Sequence, residues 1–321
     1  MRRRAAHAAS VAIFLAATAN ILSAQETREG YLPGAGGLNL YYRVVGTGNP
    51  VIVIHGGPGA DMSVLRDLTP LAARHQLIFY DQRGGGRSDL PADTSLLDAK
   101  YFVEDLEAVR QFFKLNRVTL LAHSFGPVLA ARYVETHPQR IERLIFMGAI
   151  GPRRADATAF SMEVSRRMPS ESLERMKVVV SLLRREGDVD RVALCREYEA
   201  LARTSLPAGV AAPLSMCNVS KEAVGYSLKY TGRITSESFG SWDFTKSLAA
   251  VKAPLLVVYG DQDPSPVSSQ QAWANAVPEG RLLIIPGAGH NPHTDRPQQV
   301  FDAVNTFLAG RWPLGTTESA R

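Results

Sequence analysis

The sequence predicts an α/β fold, a mostly parallel sheet flanked by helices and interrupted by an inserted helical cap, and three observations lead there. Short β-branched or apolar runs alternate with longer amphipathic stretches, as expected when each strand of a parallel sheet is followed by a covering helix. The interval from Pro152 to Asp243, about ninety residues, holds no strand-like run and is too long for a bare loop inside a compact domain. Of the 321 residues 45% are apolar and 21% charged, with two cysteines, so the core is built by burial and not by a disulfide framework. That balance excludes collagen-like, disordered and disulfide-stapled miniprotein classes.

Taken in order, the chain opens with Arg2, Arg3 and Arg4, an Ala-rich apolar stretch from Ala8 to Leu22, and the small pair Ser23 and Ala24. This is the pattern of a secretory signal peptide, and cleavage after Ala24 is expected. A retained anchor is the alternative, but the stretch is weakly hydrophobic and shorter than the ~20 residues a span needs. The leader holds three Arg and no acidic residue. Without it the 36 Lys and Arg fall to 33 against 31 Asp and Glu, so the formal +5 becomes +2. The basic balance is therefore mostly an export signal, and the expected location is outside the cytoplasm, periplasmic or secreted.

Strands are expected at Leu38–Val45, Val51–Ile54, Leu77–Tyr80, Val118–Ala122, Leu144–Met147, Leu255–Tyr259 and Arg281–Ile285. Phe102, Leu106, Val109 and Phe113 fall at helical spacing on one face. Phe125–Glu135 and Val300–Leu308 read as further helices. Within the interruption, Glu171–Arg185 and Val189–Arg203 look helical and densely charged. The expected organisation is a leader over 1–24, a sheet domain in two segments, 25–151 and 244–321, and a cap over 152–243. An insertion placed there overhangs the carboxyl ends of the strands, where open α/β sheets bind ligands. Its cysteines, Cys195 and Cys217, are either a disulfide suited to an oxidising compartment or two separate buried thiols.

The chemistry is carried by four short segments. Ala122-His123-Ser124-Phe125-Gly126 follows an apolar strand and opens a helix, with Pro127 in its first turn. A tight strand-to-helix turn of this kind exposes a serine hydroxyl at a helix N-terminus. His55-Gly56-Gly57-Pro58-Gly59 follows the strand Val51–Ile54 and offers backbone amides to an anion. The Gly57 and Phe125 amides are the expected oxyanion donors, each contributing on the order of 3 kcal/mol, while His55 is read as structural. No phosphate-binding glycine motif with its Lys-Ser/Thr end is present, and Gly84-Gly85-Gly86 lacks the third glycine of a dinucleotide fingerprint.

A serine nucleophile requires a base and a group that orients it. Asp263 in Gly260-Asp261-Gln262-Asp263 and His290 after Gly287-Ala288-Gly289 supply them, in the order serine, acid, histidine. Asp261, read as a turn cap, and His293 are the competing choices. A neutral imidazole, with a reference pKa of about 6.5, accepts a proton near neutral pH.

Together these segments resemble the proline iminopeptidase-like branch of the α/β-hydrolases, serine aminopeptidases that remove N-terminal proline. The likeness runs over essentially the whole chain after the leader. Besides His55-Gly56-Gly57-Pro58-Gly59, it rests on Asp81-Gln82-Arg83-Gly84-Gly85-Gly86-Arg87-Ser88, read as a structural turn in which Asp81 and Arg83 bind loop backbone. The resemblance implies an α/β-hydrolase fold and Ser124, Asp263 and His290 as the triad. It also implies a cap glutamate for the substrate's free amine. Tyr198-Glu199 resembles that position, which makes Glu199 the candidate amine-binding residue; one charge on a solvated helix, beside Arg196 and Glu197, is the alternative. The elbow departs from the branch, with Ala122-His123 before the serine and Phe125 after it, and is similar to esterase-like members.

The expected function is an exported, metal-independent and cofactor-free serine hydrolase working through an acyl-enzyme on prolyl or other small peptides and amides. A carboxylesterase of small esters is the alternative, and a ligand receptor on the same scaffold a more distant one. Dehalogenases and epoxide hydrolases need a carboxylate where Ser124 stands. The expected partner is a small-molecule or short-peptide substrate. Interleaved Lys, Arg and Glu without a stacking motif exclude a nucleic-acid partner, and no stable membrane insertion is expected once the leader is removed.

Overall fold

The computed structural model describes residues 27–185, 189–215, 217–218 and 220–318. The expected leader lies outside the described residues. The strands are β1 (Thr27–Pro33), β2 (Asn39–Val45), β3 (Pro50–Ile54), β4 (Gln76–Tyr80), β5 (Val118–His123), β6 (Ile141–Met147), β7 (Leu255–Gly260), β8 (Gly280–Ile285) and β9 (Thr317–Glu318). Among the described residues they make one nine-stranded sheet in the order β1-β2-β4-β3-β5-β6-β7-β8-β9. The run from β4 to β8 pairs in parallel, while β1, β2 and β9 add antiparallel edges.

Both faces of the parallel region are buried, which is why its strands are almost continuously apolar. Along β3 the side chains alternate: Ile52 and Ile54 enter one cluster, Val51 and Val53 the other. The first cluster is closed by α1 (Ala99–Phe112) and α2 (Gly126–Thr136). Phe102, Leu106 and Val109 of α1 point into it at the predicted spacing, and Phe113 stands one residue past the helix, edge-on to Tyr42 at 5.2 Å. The second cluster is closed by a 3-10 segment, Met62–Ala73, and by the C-terminal helix Pro297–Leu308.

After β4 the chain makes the turn that begins at Asp81. Asp81 accepts the amides of Met62 and Arg87, both at 2.8 Å, and Ser88 Oγ donates to the Asp81 carbonyl at 2.6 Å. Arg83 is fully buried. It forms a two-pronged pair with Asp105 on α1 at 2.7 and 2.6 Å, and donates to the carbonyls of Leu96 (2.8 Å) and Ala35 (3.0 Å). Burial holds the Asp105 carboxyl above the ordinary carboxylate range, although Arg83 opposes that effect.

Between β6 and β7 the chain runs through the inserted helical cap: α3 (Arg154–Arg167), α4 (Ser170–Arg184), α5 (Arg191–Arg203) and α6 (Lys221–Gly232). The two ends of the insertion meet. Arg153 bridges to Asp243, the Arg154 amide donates to the Trp242 carbonyl at 2.9 Å, and the Phe244 amide donates to the Pro152 carbonyl at 2.9 Å. The chain then completes the core with α7 (Val267–Ala276), α8 (Pro292–Asp295) and α9 (Pro297–Leu308). No helix among the described residues is long and apolar enough to cross a membrane.

Of the two readings the sequence leaves open for the cysteines, the structure has the disulfide. Cys195 of α5 is bonded to Cys217, with Cα atoms 5.8 Å apart, and the pair is buried against Val224 and Leu228. Closing a loop of this length, 22 residues, stabilises by about 3 kcal/mol through the entropy of the unfolded chain. Cys195→Ser/Cys217→Ser is expected to lower the denaturant midpoint by a corresponding amount and to speed proteolytic cutting between α5 and α6. Equal midpoints and cutting rates for the variant and the parent would remove the disulfide from the cap's stability.

Candidate active site

Four loops converge at the carboxyl ends of β3, β5, β7 and β8. Ser124 follows β5 directly and has φ +60°, a left-handed conformation that costs a non-glycine residue roughly 1–2 kcal/mol. Two backbone bonds hold it there: its amide donates to the Met147 carbonyl at 3.2 Å, and its carbonyl accepts from the Ile150 amide at 2.8 Å. The neighbours leave no room for side chains. A Cβ on Gly56 would lie 2.5 Å from that of Ser124, and one on Gly126 would lie 2.7 Å from the Ile54 carbonyl oxygen. Small residues in this motif are thus a requirement of close approach.

Ser124 Oγ lies 2.9 Å from His290 Nε2, and His290 Nδ1 lies 2.9 Å from Asp263 Oδ2. The other carboxylate oxygen of Asp263 accepts the Ser265 amide at 2.7 Å, and the side chain is fully buried. An acceptor at Nδ1 places the ring proton there, which leaves Nε2 free to accept from the serine. Asp261 plays a different part, since its Oδ1 accepts the Gly287 amide at 2.8 Å and closes the neighbouring turn. His293 is buried, with Nε2 3.2 Å from Asp67 Oδ1.

Gly57 and Phe125 line a cavity of about 440 Å³ together with Ser124. Phe125 precedes the first turn of α2, so its amide sits at the positive end of that helix. Its ring is pinned edge-on by Phe239 (5.1 Å) and Trp242 (5.8 Å). His55 holds the glycine loop from below: its Nε2 accepts the Gln82 amide at 3.1 Å, and Gln82 Nε2 donates to the His55 carbonyl at 2.7 Å. Burial pushes the His55 pKa down and keeps it neutral.

Glu199 is not among the residues that line the Ser124 cavity. It stands beside the disulfide, where both carboxylate oxygens accept from Ser215 Oγ at 3.0 and 2.9 Å. The reason is local: the bond from Cys195 to Cys217 draws the chain around Cys217 against that face of α5, and Ser215 comes with it. Cys195, Glu199 and Cys217 offer ligand-type atoms within 4.8 Å of one another, yet both sulfurs are consumed in the disulfide, so they provide no thiolate for a metal ion.

The profile of the alpha/beta hydrolase family matches residues 51–303. The chain belongs to the alpha/beta hydrolase family. A proline iminopeptidase of Heyndrickxia coagulans is 25% identical over 297 residues, 87% of this chain and 98% of the relative. The crystal structure of a proline iminopeptidase from Mycobacterium smegmatis shares the fold with a TM-score of 0.69 at 21% identity, covering 88% of this chain and 98% of that one. A thermophilic esterase from Thermogutta terrifontis does so with a TM-score of 0.62 at 21% identity, over 88% and 98% of the two chains.

Within this α/β hydrolase, three side chains to which sequence reasoning gives no role hold the His290 and Asp263 loops. His123 Nε2 donates to the His290 carbonyl at 3.0 Å, and its ring packs against His290 at 5.2 Å. Burial, followed by repulsion from His290 and His293, drives the His123 pKa far below the ordinary histidine value, so it stays neutral. Phe160 of α3 covers the His290 ring at 4.9 Å. Arg167, at the end of the same helix, donates to the carbonyls of Gln262 (2.6 Å) and Asp263 (3.3 Å). Of the three, His123 has a visible signal, its position directly before the serine. The other two depend on how the cap folds back.

Proposed function

We propose that this α/β hydrolase is an exported serine hydrolase that cleaves small carboxylic esters and related amides through an acyl-enzyme. The observation that carries the proposal is the hydrogen-bonded chain from Ser124 to His290 to Asp263, built on a serine of positive φ. Ser124 Oγ attacks the acyl carbon as its proton passes to His290 Nε2, and Asp263 stabilises the imidazolium at Nδ1. The Gly57 and Phe125 amides are assigned to the developing oxyanion. His290 then returns the proton to the leaving group, and water resolves the acyl-enzyme by the same route in reverse.

The sequence by itself puts prolyl amides first, and the relatives named proline iminopeptidases support that as a second reading. Esters take first place because, among the described residues, no carboxylate lines the Ser124 cavity to receive a substrate's free amine. The leader-like residues 1–24 support export, as does a disulfide, which persists in oxidising compartments.

A fluorophosphonate probe is expected to label Ser124, and a short-chain nitrophenyl ester to be turned over faster than prolyl-naphthylamide. Faster turnover of the prolyl substrate would reverse the order of the two readings. Absence of labelling in folded protein would remove the serine hydrolase reading altogether.

A further inference from the structure

We infer that Arg154 is a specificity residue that binds a carboxylate on one arm of the substrate, an inference that rests on Ser124 being the nucleophile. Arg154 opens α3 and lines the same cavity as Ser124, Gly57 and Phe125. Arg154 is partly exposed; its guanidinium lies over the Trp242 ring at 5.2 Å, and Nη2 donates to Ser236 Oγ at 3.1 Å in a solvent-exposed bond. Its neighbour Arg153 is paired with Asp156, at 3.1 Å and 2.9 Å. Arg154 has no carboxylate partner among the described residues. A planar cation placed over an aromatic ring, with donors left over, is suited to paired hydrogen bonds with a carboxylate.

A second cavity, of about 340 Å³, shares Gly57 and has a mostly apolar cap wall, Val180, Tyr198, Val224 and Leu228, with Arg184, Ser227 and Thr231 also on its lining. The Ser124 cavity thus carries a cation, and the cavity that shares Gly57 with it has a mostly apolar wall. The substrate class that fits both is an ester or amide with a carboxylate on one arm and an apolar group on the other.

The test compares two pairs of esters on the full chain and on Arg154→Gln. In the first pair the acyl arm is charged or neutral, 4-nitrophenyl hemiglutarate against 4-nitrophenyl pentanoate. In the second the leaving arm is, 4-acetoxybenzoate against 4-methylphenyl acetate. The expected result is a kcat/KM preference for the charged member of one pair, roughly 10- to 100-fold, that shrinks as salt is raised. Arg154→Gln is expected to erase it through KM while leaving neutral esters within about threefold, and Arg154→Lys to restore part of it.

The preference and its salt dependence are read on the parent protein, so they stand even if a variant fails to fold. Equal rates within both pairs, or a preference that survives Arg154→Gln, would overturn the inference while fluorophosphonate labelling of Ser124 persists. Loss of labelling and of all ester turnover would instead bring down the hydrolase reading, and this one with it.

Discussion

Ser124→Ala is expected to lower kcat for a short-chain nitrophenyl ester by roughly 10⁵- to 10⁶-fold with little change in melting temperature. The hydroxyl is the atom that His290 addresses at 2.9 Å, and replacing it leaves the imidazole without a proton to take. A residual rate of roughly 10³-fold over water is compatible with the assignment, because the oxyanion donors and the cavity remain. Ser124→Gly separates chemistry from strain. Glycine accepts φ +60° freely, so this variant is expected to be as inactive as alanine yet about 1 kcal/mol more stable. Activity in the alanine variant above about one hundredth of the parent would place the nucleophile elsewhere.

Arg83→Met is expected to cost about 3–5 kcal/mol of unfolding free energy, a large share of what holds a typical domain folded. Methionine fills much of the space but leaves Asp105 buried without its two-pronged partner. The loss is expected to depend on pH in a defined direction. A carboxyl whose folded pKa lies above its unfolded one binds more protons when folded, so stability falls as pH rises from the unfolded pKa through the folded one. Asp105 is already raised, and removing Arg83 raises it further, so the deficit against the parent should widen from pH 5 to pH 8. Arg83→Met/Asp105→Leu should recover most of it. Denaturant titrations of the single and double variants at both pH values check this, and a pH-independent deficit would mean that lost packing outweighs the stranded charge.

The parallel core is legible because burial on both faces writes itself into the strands: Val51 to Ile54 and Val118 to Ala122 are apolar at every position except Thr119. The edges are not. β1 carries Thr27, Arg28, Glu29 and Gly30 on an exposed border with Leu32 alone fully buried, and β9 is two residues long. Within the cap, α4 and α5 carry recognisable apolar positions. α3 escapes a sequence reading because Asp156 is its one buried residue; it roofs a cavity and needs no apolar stripe. At the site, Ser124, Asp263 and His290 each stand at a strand end beside a glycine turn, so local sequence marks them. Glu199 shows the limit of that logic: its place is set by a covalent bond between residues the sequence could not pair.

The meeting of Pro152 with Phe244 carries a further consequence. Because the insertion leaves and rejoins the core at one point, the pairing of β6 with β7 does not depend on what is threaded between them. Loop-closure cost grows by only about 0.6 kcal/mol per doubling of length, so segments of very different size fit the same socket. The region between these residues is therefore an exchangeable part. A graft from another hydrolase would have to reproduce the insertion's footholds on the core, a ring over His290, a donor to the Asp263 loop, the Phe239 and Trp242 rings against Phe125, and the bonds of Ala211, Tyr226 and Thr231 to Asp295, Pro91 and Pro58, to bring a new substrate wall to the same loops.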